Sequence, residues 1–368
     1  MVNLTQEDHD GRRHCNAEWT KRRRTVIIVA LLLISAFVAC VSTFIIVSTQ
    51  QHSYEHPARR ALAETGAQLL PPWAQYNLVD VKQRPSSAET PLFWHVPKSG
   101  GTTAKRLYEC MGQTLANRLG ADPRFGHDKQ DEIVVFQPFS TAPDMKFVNV
   151  DTTTKPGILR AERLGLVPSR KADMIFSSDV NFASQHLFSP QYKGRIYAFF
   201  RNPVDRCVSK FYYLQTATWE RTYRPEWVGM SITDWATNHN FDENFLVKKI
   251  NGKGLADPVD EKDLVVAKEI VRRRFIVGLM SDMEESVRRF NIMLGIDRNT
   301  VKSKDCHNEY FGDSMPSKNT NSNSHPEVTP GSHEYDVIAE RNALDMVLYK
   351  YIQFLYSEQR SMIDSYAV

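Results

Sequence analysis

Residues 92–112 read LFWHVPKSGGTTAKRLYECMG, and this stretch indicates how the chain folds. An apolar run comes first, a turn with two adjacent glycines follows, and a segment with helical spacing comes last. Adjacent glycines let backbone N–H groups approach an anion, and the start of a helix adds positive potential. We therefore predict a strand, an anion-binding turn carrying the positive charge of Lys98, and a helix. The alternative for this motif taken alone is a tight connection between strand and helix that binds no ligand.

A second stretch, residues 195–215, repeats this order of strand, turn and helix as RIYAFFRNPVDRCVSKFYYLQ. Asn202 and Pro203 mark the start of the helix. Arg201 ends the predicted strand, and Ser209 lies two helical turns further on. An arginine at the carboxyl end of a strand faces the crevice where α/β sheets bind ligands, and its guanidinium can hold a phosphate through two hydrogen bonds.

Short apolar runs alternate with helical patterns along the rest of the chain. The runs lie at residues 92–96, 132–136, 146–150, 173–177, 195–200 and 274–279. The helical patterns lie at residues 102–112, 157–165, 204–217, 260–272, 282–293 and 334–357. Uninterrupted apolar runs suit strands that are buried on both faces of a parallel sheet. We predict an α/β fold, a P-loop-like, doubly wound parallel sheet flanked by helices.

The two motifs together resemble the donor-binding pair of sulfotransferases. PKSGGTT (97–103) is followed about a hundred residues later by FRNPVDRCVSKFYY (200–213). Residues 274–290 and 340–356 are similar to later segments of membrane-bound carbohydrate sulfotransferases. The resemblance spans roughly residues 91–357. It implies a Golgi enzyme of type II topology that moves the sulfuryl group of 3′-phosphoadenosine 5′-phosphosulfate to a hydroxyl of a carbohydrate acceptor.

The resemblance also implies which residues bind this donor. The first motif would hold the 5′-phosphosulfate through Lys98, Ser99, Gly100, Gly101, Thr102 and Thr103. The second would hold the 3′-phosphate through Arg201 and Ser209. Lys98 is the candidate for stabilising negative charge on the leaving phosphate and on the moving sulfuryl group. Because the chain has no HExxH or CxxC pattern, we predict catalysis without a metal ion.

The residue that removes the proton from the acceptor is harder to identify. Many Golgi carbohydrate sulfotransferases supply a histidine from the region after the strand that precedes the second motif. Here residues 175–190 read IFSSDVNFASQHLFSP and offer Asp179 and His186 as candidate catalytic residues. Asp179 lies directly after a strand, whereas His186 is a histidine, a residue type whose intrinsic pKa of about 6.5 suits a base. A helix N-cap for Asp179 and a surface or helix-capping position for His186 stay open. His95 is predicted to be a buried strand residue.

Residues 25–48 are uncharged and apolar, and they are long enough to cross a hydrocarbon core of about 30 Å. Basic residues precede this run at 21–24, which places the N-terminus in the cytoplasm. The predicted order is a cytoplasmic tail (1–24), a transmembrane signal anchor (25–48), a stem (49–90) and a luminal domain (91–368). A cleaved signal peptide is the alternative, and the length of the run disfavours it.

Composition limits the remaining possibilities. The 368 residues carry a net charge of +3, too little to indicate a nucleic-acid partner, and ordinary apolar and charged fractions exclude collagen, coiled coils and wholesale disorder.

Of five cysteines, three follow the predicted span. If a disulfide forms, Cys110 with Cys306 is favoured because Cys207 lies in the second motif's helix. The sequence leaves self-association into a homo-oligomer open.

Alternative functions share parts of this pattern. A tyrosylprotein acceptor is the nearest variant, and a sulfotransferase-like domain that binds without catalysis is another. A nucleotide-dependent kinase is disfavoured because the Walker A motif places its lysine after the second glycine, whereas Lys98 precedes Gly100 and Gly101. The acceptor is the least determined part. Aromatic and basic residues that could bind an anionic sugar chain, or simply pack in the core, are Trp219, Arg221, Tyr223, Arg224, Trp227 and Trp235.

Overall fold

The computed structural model describes residues 70–142, 144–220, 222–239, 242–312 and 325–367. The predicted cytoplasmic tail (1–24), membrane span (25–48) and first part of the stem (49–69) lie outside these residues. Within the described ranges, no helix is both long enough and apolar enough to cross a membrane.

One sheet occupies the centre of the described structure. Its seven strands are β1 (Thr90–Trp94), β2 (Thr114–Ala116), β3 (Val135–Phe136), β4 (Lys146–Val148), β5 (Met174–Ser177), β6 (Gly194–Phe200) and β7 (Phe275–Leu279). Their order is β3-β4-β2-β5-β1-β6-β7, and every neighbouring pair is parallel except β3 with β4. In the central register, Leu92 lies opposite Ile175 on one side and Ile196 on the other. The predicted α/β class with a mostly parallel sheet is therefore confirmed.

Helices cover both faces of this sheet. They are α1 (Pro72–Tyr76), α2 (Gly101–Cys110), α3 (Lys155–Arg163), α4 (Leu166–Ser169), α5 (Val180–His186), α6 (Pro203–Leu214), α7 (Ile232–Asn238), α8 (Phe245–Ile250), α9 (Glu261–Arg274), α10 (Met283–Leu294), α11 (Val301–Phe311), α12 (His333–Arg341) and α13 (Ala343–Asp364). One apolar cluster joins the sheet to α3, α5, α8, α9 and α13. A second cluster, on the opposite face, joins it to α2, α10 and α11.

The central strand β1 shows why its sequence is uninterrupted by polar residues. Leu92 and Trp94 belong to the first apolar cluster, whereas Phe93 belongs to the second. All three side chains are fully buried. Alternate residues of a strand point to opposite faces, so a strand between two helical layers needs apolar residues at every position.

Several residues of the predicted stem pack against the sheet. Residues 70–90 were assigned to the stem, yet Leu70 and Trp73 are buried in the same cluster as Leu92 of β1. Leu78 also forms an isolated bridge with Gly194 at the start of β6. The segment showed no apolar period because it contains only a five-residue helix and a single bridge. Part of the predicted stem, residues 70–79, therefore packs against the sheet.

A disulfide joins Cys110, the last residue of α2, to Cys306 in α11. The favoured pairing is confirmed, and Cys207 is a free, buried thiol in α6. The bond links two helices on one face of the sheet across 196 positions of sequence. The closed loop contains six of the seven strands, β2 to β7, so the bond restricts the unfolded chain strongly.

Replacing both cysteines, Cys110→Ala with Cys306→Ala, is expected to lower the free energy of unfolding by about 2–4 kcal/mol, because a long loop is no longer closed in the unfolded chain. Thermal unfolding of the full-length protein should show a midpoint lowered by roughly 5 °C or more. Reductant provides the control, since it should destabilise the wild-type protein and leave the double variant unchanged. A double variant as stable as the wild-type protein would contradict this prediction.

Candidate functional site

The turn between β1 and α2 is tightly constrained. Lys98 and Gly100 have positive φ angles of 64° and 85°. For a residue other than glycine this conformation costs about 1–2 kcal/mol, so Lys98 is held in it by its surroundings. A Cβ atom on Gly100 would lie 2.3 Å from Cε of Met283, and one on Gly101 would lie 2.2 Å from Cδ2 of His95. Gly100 requires glycine because its φ is positive, whereas a side chain at Gly101 would require the His95 imidazole to move.

The turn presents hydrogen-bond donors at the start of α2. Gly100 occupies the N-cap position, and no side chain among the described residues caps this helix. The N–H groups of its first turn thus stay available to an anion. The Ser99 side chain is 1% exposed, and its Oγ has no hydrogen-bond partner within the described part of the chain. Thr102 is exposed and Thr103 is half-buried in the same first turn.

The second motif meets the first at the carboxyl edge of the sheet. β6 pairs with β1, and Arg201 follows β6 directly. The Nη1 atom of Arg201 donates a hydrogen bond to the backbone oxygen of Lys98 over 3.1 Å. Asn202 caps α6 by accepting a hydrogen bond from the Val204 N–H. The Ser209 side chain lies on α6, is 2% exposed, and its Oγ also lacks a partner among the described residues.

Positive charge accumulates at this junction. Burial lowers the pKa of Lys98, and the neighbouring charge of Arg201 lowers it further. Burial also lowers the pKa of Arg201, against the opposing effect of Asp205. Both shifts mean that the folded protein holds these cations at a cost in free energy. A bound anion would relieve that cost, so the geometry and the charge favour the same kind of ligand.

A carboxylate also belongs to this site, and the sequence analysis missed it. The Tyr213 hydroxyl donates a hydrogen bond to Oε1 of Glu220 over 2.8 Å. The Lys98 ammonium lies 4.2 Å from the centre of the same Tyr213 ring. The charge of Glu220 raises the pKa of Lys98 and of His95, against the larger effect of burial. In the sequence, Tyr213 alone could have indicated this carboxylate, because it lies one helical turn after Ser209 in the second motif.

His95 lies beside the turn and not within the strand. It follows β1 directly, is half-buried, and packs against the Gly101 backbone. Burial and the charge of Lys105 lower its pKa to about 4. Its imidazole is therefore neutral at neutral pH. The expectation of a buried strand residue was wrong in position, although the side chain is shielded from solvent.

The two candidate bases are placed at opposite ends of one helix. Asp179 caps α5 by accepting a hydrogen bond from the Phe182 N–H over 3.1 Å. His186 is the last residue of α5, with Nδ1 2.9 Å from Oε2 of Glu162. The helix starts at the carboxyl edge of the sheet and runs about 10 Å away from it over its seven residues. Only Asp179 is thus near the edge that carries Lys98 and Arg201.

Replacing His186 by asparagine is expected to leave the rate of any group transfer nearly unchanged, because the side chain lies at the end of α5 that is remote from Lys98 and Arg201. The side chain is half-exposed and pairs with Glu162 on α3. The measurement is the kcat of the full-length variant against the wild-type protein at saturating donor. A loss of a hundredfold or more would show that His186 acts on the substrate despite its position.

The predicted aromatic platform divides into buried and exposed residues. Trp227 and Trp235 are 8% and 2% exposed, and both pack against Phe211 of α6. They belong to a core cluster, which favours the packing alternative for these two tryptophans. Trp219 is 73% exposed and lies next to Glu220. Arg221 lies outside the described residues.

Two further findings concern metal binding and the similarity of the chain to known proteins. Among the described residues, no group of three or more His, Cys, Asp or Glu side chains is arranged to hold a metal ion, and metal-independent catalysis stays a prediction. A search against protein-family models and a search of curated proteins each found no match.

Proposed function

We propose that the protein is a sulfotransferase that moves a sulfuryl group from 3′-phosphoadenosine 5′-phosphosulfate to a hydroxyl of a carbohydrate. The observation that carries this proposal is the hydrogen bond from Arg201 to the backbone oxygen of Lys98. It joins two motifs that are about a hundred residues apart in sequence, as a ligand with two separate anionic groups requires.

The unpartnered polar groups fit such a donor. Ser99 and Ser209 are buried hydroxyls with no hydrogen-bond partner in the described structure. A buried hydroxyl without a partner costs about 1–3 kcal/mol, so a ligand that bonds to both would stabilise the site. The 5′-phosphosulfate would lie on the turn at Gly100 and Gly101, and the 3′-phosphate between Arg201 and Ser209.

The mechanism assigns the chain's residues to charge stabilisation and positioning. The acceptor oxygen attacks sulfur as the bond from sulfur to the 5′-phosphate oxygen breaks, and negative charge grows on that phosphate. Lys98 and the first-turn N–H groups of α2 meet this charge in a partly buried site, where electrostatic stabilisation is strong. Arg201 fixes the donor at its other end.

Three further features predicted from the sequence belong to the same proposal. They are a P-loop-like, doubly wound sheet, residues 25–48 as the membrane anchor of a type II protein, and a luminal domain in the Golgi. The two helical layers on the sheet support the first of these. The disulfide between Cys110 and Cys306 supports an oxidising compartment, because such bonds rarely persist in the cytosol.

The test uses the full-length protein in two steps. Calorimetric titration with adenosine 3′,5′-bisphosphate measures donor-site binding, and transfer of labelled sulfate to glycans and tyrosine peptides measures catalysis and identifies the acceptor. γ-Labelled ATP is the parallel donor. We expect binding of the bisphosphate and sulfate transfer to a glycan, in the presence of a chelator. Labelled product from ATP alone would refute the proposal, and tyrosine-peptide product alone would reassign the acceptor.

A further inference from the structure

Glu220 is placed at the donor turn by a residue of the second motif. Tyr213 belongs to α6, and its hydroxyl holds Oε1 of Glu220 at 2.8 Å. The face of the same ring lies under the Lys98 ammonium at 4.2 Å. One aromatic ring therefore fixes the carboxylate and the cation relative to each other. Glu220 is half-buried, so it remains reachable from solvent.

The second carboxylate oxygen of Glu220 is available for chemistry. The Tyr213 hydroxyl donates its hydrogen bond to Oε1, and within the described part of the chain Oε2 makes no hydrogen bond or ion pair. A base must lie within hydrogen-bond reach of the proton that it removes, and a carboxylate with one oxygen anchored and one free meets this requirement. The anchored oxygen restricts the rotation of the side chain.

The other titratable groups near the turn are less suited to this role. His95 packs against Gly101 beneath the turn, and its pKa of about 4 makes it a weak base. Asp179 also has one oxygen bound, to the Phe182 N–H, but no contact among the described residues links it to Lys98 as Tyr213 links Glu220. His186 lies at the far end of that helix and pairs with Glu162. Lys98 is a cation whose charge is needed at the leaving phosphate.

We propose that Glu220 is the general base of the transfer reaction, with Tyr213 as the residue that positions it. This inference rests on the proposed function. As the acceptor oxygen bonds to sulfur, its proton passes to Oε2 of Glu220. The electron pair of the breaking sulfur–oxygen bond stays on the 5′-phosphate, beside Lys98. The proton acceptor and the stabilising cation both contact Tyr213, the carboxylate through the hydroxyl and the cation through the ring face.

The experiment compares Glu220→Gln with three other variants of the full-length protein. Glu226→Gln is the matched control, because Glu226 is an exposed carboxylate a few residues further along the chain. Asp179→Asn is the competing base variant and keeps a good N-cap residue. Tyr213→Phe removes the anchoring hydrogen bond without removing the carboxylate. For each variant, kcat for sulfate transfer, its pH profile, and the affinity for adenosine 3′,5′-bisphosphate are measured.

We expect Glu220→Gln to lower kcat by roughly 100- to 10,000-fold, the usual contribution of a general base, with bisphosphate affinity unchanged within about twofold. The decline of kcat toward acidic pH should disappear in this variant. Tyr213→Phe should cause a smaller loss and retain that decline. Glu226→Gln should match the wild-type protein.

Other outcomes overturn the inference in distinguishable ways. If Glu220→Gln keeps its rate while the wild-type protein transfers sulfate, Glu220 is not the base and the proposed function stands. A large loss in Asp179→Asn with none in Glu220→Gln assigns the base to Asp179. An equal loss of kcat and of bisphosphate affinity in Glu220→Gln makes Glu220 a structural residue. A wild-type protein that transfers sulfate to no acceptor, water included, removes both the base and the function.

Discussion

Replacing Lys98 by methionine is expected to lower kcat for sulfate transfer by about 100- to 1,000-fold, the loss that follows removal of one preorganised group that stabilises transition-state charge. Methionine keeps the length of the side chain and removes its charge. The affinity for the unreacted donor, 3′-phosphoadenosine 5′-phosphosulfate, should fall much less, because the charge that develops on the 5′-phosphate during transfer is not yet present in the ground state. Rapid-quench measurement of labelled sulfate transfer at saturating donor provides kcat, and titration calorimetry provides the affinity.

The control for this prediction is Lys262→Met, which removes an exposed lysine from the first turn of α9. It should leave both quantities unchanged. The wild-type pH profile offers an independent check. Burial and Arg201 lower the pKa of Lys98, so its active, protonated form should be lost at a lower pH than for an exposed lysine. Equal losses of kcat and affinity in Lys98→Met would mean that Lys98 only binds the donor.

The fold could be predicted because its strands are buried on both faces. A strand such as β7, with every residue buried, needs an uninterrupted apolar sequence, and that signal is visible without any tertiary information. β2 gave no such signal, since it has only three residues and includes Thr114. The helix α1 was also missed, because five residues are too few to show a helical period.

Only the residues of the two motifs could be predicted as parts of the candidate site from the sequence. Lys98, Gly100 and Arg201 belong to motifs in which a strand, a turn and a helix follow one another, so their local sequence indicates their position. Glu220 follows α6 in a segment without a period, and only the tertiary contact with Tyr213 brings it to the turn. His186 shows the converse case. Histidine is a residue type that often acts as a base, but the direction of α5 carries this side chain away from the sheet edge.

Replacing Arg201 by alanine is expected to weaken the binding of adenosine 3′,5′-bisphosphate by about 100-fold or more, because removing one member of a partly buried charge pair costs roughly 2–5 kcal/mol. Arg201 is half-buried, follows β6, and holds the backbone of Lys98 through Nη1. The kcat at saturating donor should change far less than the affinity. Titration calorimetry with the full-length protein measures the affinity, and Arg163→Ala, which removes an exposed arginine, is the protein control.

The choice of nucleotide separates the two roles that Arg201 could have. If Arg201 binds the 3′-phosphate, Arg201→Ala should weaken the bisphosphate and leave adenosine 5′-phosphate, which lacks that group, almost unaffected. Arg201→Lys keeps the charge and loses the two-pronged geometry, so its bisphosphate affinity should lie between those of alanine and wild type. Equal weakening of both nucleotides would instead show that Arg201 acts by holding the turn at Lys98. In that case the hydrogen bond between the motifs, and not a contact with the 3′-phosphate, would explain why they meet.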